Sequence, residues 1–194
     1  MARQLFVLLA FTTLLFVSMC SVSLATDTSA MDFVQKICND ASYDTLCLDT
    51  LVPKASNISG NPKSATRFAI QATISEVQSV SSSFINLSEH PEEWTNEVKT
   101  LQRCGTTIAS SVTHLLDAYE LTTHLGGGGR AVKVSKRASM ANSVNSVLNA
   151  MNTCMNHLQT SSATDSQITR VEDIMEPLAE LATNAIDIIK HMPF

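Results

Sequence analysis

Aromatic side chains are scarce in this sequence, at 5% of 194 residues with one tryptophan, so any core must be aliphatic. Charged residues are also few, at 16% against the usual quarter, and Ser, Thr and Asn fill the gap. Basic residues are outnumbered, 13 Lys and Arg against 18 Asp and Glu, for a formal charge of -5. That balance argues against nucleic-acid binding, which needs clustered cations to displace counterions. No alternating pattern long enough for a β-sheet occurs, and low hydrophobicity with high net charge, the signature of long disorder, is missing.

Catalytic and metal-binding patterns are absent too. The sequence holds no G-x-S-x-G, no H-E-x-x-H, no G-x-x-x-x-G-K and no C-x-x-C. His90, His114, His124, His157 and His191 are scattered. His114 and His124, ten residues apart, sit about 80° apart on a helix, a poor arrangement for a shared metal. Gly126 to Gly129 joins two helical patterns and reads as a flexible turn. The residues therefore predict no enzyme, no metal and no cofactor.

What is present begins with an address segment. Arg3 precedes an apolar run from Leu5 to Met19, and Ser23-Leu24-Ala25 follows with small residues suited to signal peptidase. The run is short of the roughly 20 residues a membrane span needs. Residues 1–25 thus predict a signal peptide, with a mature chain of 26–194 that is secreted and has no membrane anchor. Removing the segment takes away Arg3 and Cys20, leaving a charge of -6 and four cysteines: Cys38, Cys47, Cys104 and Cys154. In an oxidising compartment these predict two disulfides, and spacing leaves three pairings open. Asn57-Ile58-Ser59 and Asn86-Leu87-Ser88 are glycosylation acceptors at Asn57 and Asn86.

The mature chain reads as all-α, in one domain. Spacings of three and four run through Trp94, Val98, Leu101, Ile108, Val112, Leu115 and Tyr119. From Val134 the series Ala138, Ala141, Val144, Leu148, Met151, Met155 and Leu158 repeats them. Ala65, Phe68, Ala72, Val80 and Phe84 form a weaker stripe, and Val171, Ile174, Leu178, Leu181, Ala185 and Ile188 a fourth. Four such helices with short loops make an up-and-down four-helix bundle over residues 64–191. Pro177 predicts a kink or a late start in the last helix. Two short apolar pieces around Cys38 and Cys47 precede the bundle.

Three helices also carry polar stripes opposite their apolar ones. These are Gln71, Ser75, Gln78 and Ser82; Thr106, Ser110, Thr113 and Asp117; and Asn142, Ser146, Asn149 and Thr153. Bundle surfaces are usually laced with Glu and Lys, whereas these faces are nearly uncharged. They suit either a plain soluble surface or a hydrogen-bonding face that docks on a partner, since small polar side chains lose little entropy when immobilised.

Several segments resemble one family. Ile37-Cys38-Asn39-Asp40, Thr45-Leu46-Cys47 and Leu51 are similar to the opening of plant invertase and pectin methylesterase inhibitors. Leu101-Gln102-Arg103-Cys104 with Ala109 and Leu115, Leu148 with Thr153-Cys154, and Leu181-Ala182-Thr183-Asn184-Ala185-Ile186 resemble its later motifs in order. The resemblance covers residues 31–190. It implies an N-terminal helical hairpin over 31–52 and the bridges Cys38–Cys47 and Cys104–Cys154. It further implies an apoplastic inhibitor, without chemistry of its own, that covers a cell-wall enzyme's active-site cleft in a 1:1 complex through the second to fourth bundle helices. The departures are Ala41 and Asp44 for the family's Thr and Pro, Ile108 for its Tyr, Ser111 for its Ala, and Asn145-Ser146-Val147 for its Ser-Ala-Ala. Invertase inhibitors carry Pro-Lys-Phe after the fourth helix, and Gln159 to Gln167 holds none of these residues. The expected partner is therefore pectin methylesterase rather than invertase. A non-inhibitory secreted interaction protein is the remaining reading.

Overall fold

The computed structural model describes residues 28–192, so the expected signal segment lies outside the described residues. The chain runs as α1 (28–38), α2 (Asp44–Leu51), a 3-10 turn (Val52–Lys54), α3 (Ala55–Ile58), α4 (Pro62–Ser88), α5 (Val98–Thr123), α6 (Arg130–Gln159) and α7 (Asp165–His191). No strand occurs among the described residues, and none of their helices is long and apolar enough to cross a membrane. Helices α4 to α7 form the bundle: α4 packs against α5 and α7, and α6 against α5 and α7. The pairs α4/α6 and α5/α7 therefore stand on its diagonals.

Local chemistry sets the helix limits. Asn61 accepts from the Lys63 amide at 3.0 Å, and Pro62 at the first helical position needs no partner for a missing N–H. Thr164 and Gln167 exchange bonds in a capping box that opens α7. That start lies twelve residues ahead of Pro177, so the late start does not occur. Pro177 is exposed, and water can serve the Asp173 carbonyl that proline leaves without an amide. Glu172 and Asp173 lie well inside α7.

Core membership follows the apolar stripes with three shifts. Trp94 is buried, but in the connection ahead of α5 rather than on it. On α4 the buried side is Ala65, Ala69, Ile70, Thr73, Val77, Val80 and Phe84, and Phe68 and Ala72 sit at its margin. On α6 burial begins only at Met140, leaving Val134 and Ala138 outside. The departures Ile108 and Ser111 are both buried, and the Ser111 hydroxyl donates to the Ile108 carbonyl at 2.6 Å, so it adds no unpaired group.

Both disulfides are present as Cys38–Cys47 and Cys104–Cys154. The first closes the α1–α2 hairpin, and the second links α5 to α6. Asn184 of α7 fixes the hairpin to the bundle: its Oδ1 accepts from the Tyr43 amide at 3.0 Å and its Nδ2 donates to the Tyr43 carbonyl at 2.9 Å. Beside it, Asp187 accepts from the amide and hydroxyl of Ser42, at 3.0 and 2.6 Å.

Asn184 is 3% exposed, so its replacement leaves the Tyr43 groups short of partners. We expect Asn184→Leu to destabilise the hairpin by about 2 kcal/mol. Hydrogen exchange should quicken across 39–51 while α5 and α6 stay protected. Replacing Cys104 and Cys154 together by Ala should cost the whole fold about 4 kcal/mol, read by denaturant unfolding.

Candidate docking surface

At Gly105, α4 and α5 pack with little room for a side chain. A Cβ at that position would lie 3.2 Å from both the Phe84 Cβ and the Ser81 carbonyl. The Ser81 hydroxyl donates to the Gly105 carbonyl at 2.9 Å, locking α4 to α5 through a buried bond. Gln71, Ile74 and Ser75 of α4 and Leu116 and Tyr119 of α5 line an open groove of about 490 Å³.

One end of this groove is held by an arginine. Arg67 stands over the Tyr119 ring, 4.6 Å from its centre, and donates to its hydroxyl at 2.6 Å. Gln71 donates to the same hydroxyl at 3.3 Å. Two large apolar side chains are exposed along the α4/α5 pair: Leu116 at 53% and Ile85 at 45%. Ile85 sits beside Gly105, its Cγ1 3.6 Å from the position of an added Cβ.

All twelve residues of the polar stripes lie on the surface. Eleven are exposed, and Ser146 is half-buried. Their hydroxyls largely donate inward: Ser82 to the Gln78 carbonyl, Thr106 to that of Gln102, Ser110 to that of Thr107, Ser146 to that of Ser143 and Thr153 to that of Asn149. With the protons so engaged, the oxygens present lone pairs to the outside, and Asp117 adds a carboxylate. The face is therefore rich in acceptors, with amide donors at Gln71, Gln78, Asn142 and Asn149.

The stripes share one level of the bundle but not one plane. Because α4 and α6 are diagonal, their outward faces turn away from each other with α5 between them. A flat partner can engage the α4 and α5 stripes together, or those of α5 and α6, and the groove lies between α4 and α5. Arg67, Ile85, Leu116 and Tyr119 belong to this surface without belonging to a polar stripe. Ile85, Leu116 and Tyr119 are apolar or aromatic residues just off the core face, of which periodicity assigns Tyr119 to the apolar stripe, and Arg67 carries no such signal.

The acceptor sites Asn57 and Asn86 are both exposed. Asn86 follows Ser82 by four residues, one turn further along α4. The five histidines are exposed, and no group of three or more His, Cys, Asp or Glu is gathered for a metal among the described residues. Titration is perturbed away from the stripes: the backbone amide and His90 hold the Glu92 carboxyl below its ordinary value, and burial lowers Arg137.

Residues 32–188 match the sequence model of a family described as plant invertase/pectin methylesterase inhibitor. A curated relative, Pectinesterase inhibitor 10 of Arabidopsis thaliana, is 26% identical over 159 residues, covering 82% of this chain. Those residues are 50% of the relative, so the chain spans about half its length. The crystal structure of a mutant form A of a pectin methylesterase inhibitor from Arabidopsis aligns with a TM-score of 0.57 at 16% identity. It covers 81% of this chain and 95% of that one, a likeness of fold.

Since the α4/α5 spacing depends on a missing side chain, Gly105→Val should force the helices apart. We expect a loss of about 2–3 kcal/mol in unfolding free energy. Fluorescence of Trp94, in the connection between the two helices, gives a convenient probe of the transition.

Proposed function

The chain belongs to the plant invertase/pectin methylesterase inhibitor family, and from that premise we propose that it is a secreted inhibitor of plant pectin methylesterase. It binds the enzyme 1:1, covers the active-site cleft and performs no chemistry itself. Its place of action is the cell wall, where less demethylation keeps pectin esterified and lowers its capacity for calcium cross-linking.

The observation that carries this reading is the α4/α5 surface. A preformed groove, exposed Leu116 and Ile85, and an Arg67 guanidinium already ordered on Tyr119 are the kinds of group that dominate protein interfaces. Around them, short side chains tied to their own helices lose little freedom on docking. An acceptor-rich face calls for donors on the partner, such as Lys, Arg and backbone amides at the rim of a cleft. The α6 stripe is the outer margin of the interface in this arrangement. The target choice rests on Gln159 to Gln167, the end of α6 and the turn before α7, which holds no Pro-Lys-Phe. A glycan on Asn86 would border the α4 stripe, and one on Asn57 would stand on α3.

The disulfide-bonded protein should therefore lower pectin methylesterase activity in a dose-dependent way and leave acid invertase unaffected. Leu116→Arg and Ser75→Arg, both at exposed positions, should weaken inhibition more than tenfold, with unchanged circular dichroism. Asn149→Arg on α6 should weaken it less. Inhibition of invertase alone would reverse the choice of target. A well-folded sample inactive against both enzymes would favour the non-inhibitory interaction protein.

A further inference from the structure

The net charge of -5 hides a division of charge along the bundle. At the end where α4 begins, α5 ends, α6 begins and α7 ends, six cations gather: Lys63, Arg130, Lys133, Lys136, Arg137 and Lys190. At the opposite end the connection between α4 and α5 carries Glu89, Glu92 and Glu93, the last paired with Arg170, and the first turn of α7 carries Asp165. An acidic protein thus presents one basic end.

Contacts across the chain bring this end together. Lys136 Nζ donates to the His124 carbonyl, where α5 stops, and Arg137 Nη2 donates to the Met192 carbonyl, where α7 stops. Lys63 Nζ lies 3.5 Å from the place a Cβ on Gly126 would occupy, next to the glycine turn that leads into α6. Acids stand at this end too: Asp40 lines a cavity with Lys36, Pro62, His191 and Met192. Asp187 accepts both bonds from Ser42, and Glu120 lies 3.5 Å from His124.

Part of the cluster follows from helix electrostatics. Cations near the ends of α5 and α7 meet the negative pole of each helix. Arg130 and Lys133 do not fit that account, because they occupy the first turn of α6 beside its positive pole, with no acid in that turn. Arg130 is exposed and Lys133 half-buried, and neither belongs to the core, so packing does not demand these two either. They add positive potential to the end of the bundle at a cost in helix stability.

We propose that this basic end binds a polyuronate chain, so that the inhibitor is held on de-esterified pectin while its α4/α5 face remains open. The cations are spread over four helix ends rather than around a pocket, which suits an extended polyanion better than a small one. The choice of a uronate among carboxylate polymers rests on the proposed inhibition, because the target enzyme converts methyl esters of pectin into carboxylates.

The test is affinity electrophoresis and column retention of the disulfide-bonded protein on polygalacturonate, at low ionic strength and mildly acidic pH. Fully methyl-esterified pectin and anionic phospholipid vesicles serve as comparison ligands. We expect retention on polygalacturonate alone, with elution by moderate salt. The double variant Arg130→Gln with Lys133→Gln should bind about tenfold more weakly, as expected for two surface charge contacts. Lys99→Gln, at the acidic end, should bind like the parent. Absence of retention, equal retention of the double variant, or equal binding to esterified pectin or vesicles would overturn the proposal. Methylesterase inhibition by the same double variant is scored separately and should match the parent. An inhibitor that ignores polygalacturonate refutes only the basic-end proposal, and a polygalacturonate binder that fails to inhibit refutes only the target assignment.

Discussion

The contact between α4 and α5 at Gly105 governs the rest of the candidate surface. A hydrogen in place of a side chain lets Ser81 reach the Gly105 carbonyl and brings Phe84 against the α5 backbone. Further along the pair, Gln71, Ile74, Leu116 and Tyr119 line the open groove. The same geometry exposes Ile85 and Leu116, since neither finds a neighbouring helix to cover it.

Rigidity comes from constraints placed around this pair. The Cys104–Cys154 bridge ties α5 to α6 from within the bundle, and the capping box with the Arg170–Glu93 pair, at 2.7 Å, holds the start of α7 to the α4–α5 connection. At the far end, Asn184 and Asp187 seat the hairpin on α7. A protein that acts by occupying a partner's cleft gains from such order, because the ordering cost is met on folding rather than on binding. Hydroxyls bonded back to their own helices extend that order to the surface.

Charge is arranged independently of this packing. Cations concentrate at one end of the bundle and several acids at the other, while the α4/α5 face between them carries few charges, Arg67 and Asp117 among them. Recognition there depends on shape and hydrogen bonds, while the two ends respond to charged surroundings and to salt. One small bundle can in this way present two surfaces that act without competing.

Much of this was legible in the residues themselves. Spacings of three and four identified α4 to α7, Asn61 and Thr164 stand where helices begin, and motif order pointed to the family and to the cysteine pairs. These features are local or nearly so: a helix repeats every 3.6 residues, and a cap acts within one turn. Misplacements arose where tertiary contact outranks periodicity. Trp94 is core without being helical, and Val134 and Ala138 continue a stripe past the point where any partner helix remains to cover it. The grouping of Lys63, Arg130, Lys136 and Lys190 was invisible for a related reason, since they are distant in the chain and meet only because four helices alternate in direction. The amino-acid sequence by itself determined which segments are helical and which sides of them are apolar, because those depend on near neighbours. Which exposed faces share a plane, which residues of α4 and α5 line the groove, and which charges share an end were decided only by the tertiary structure, because they depend on the order in which helices pack around the core.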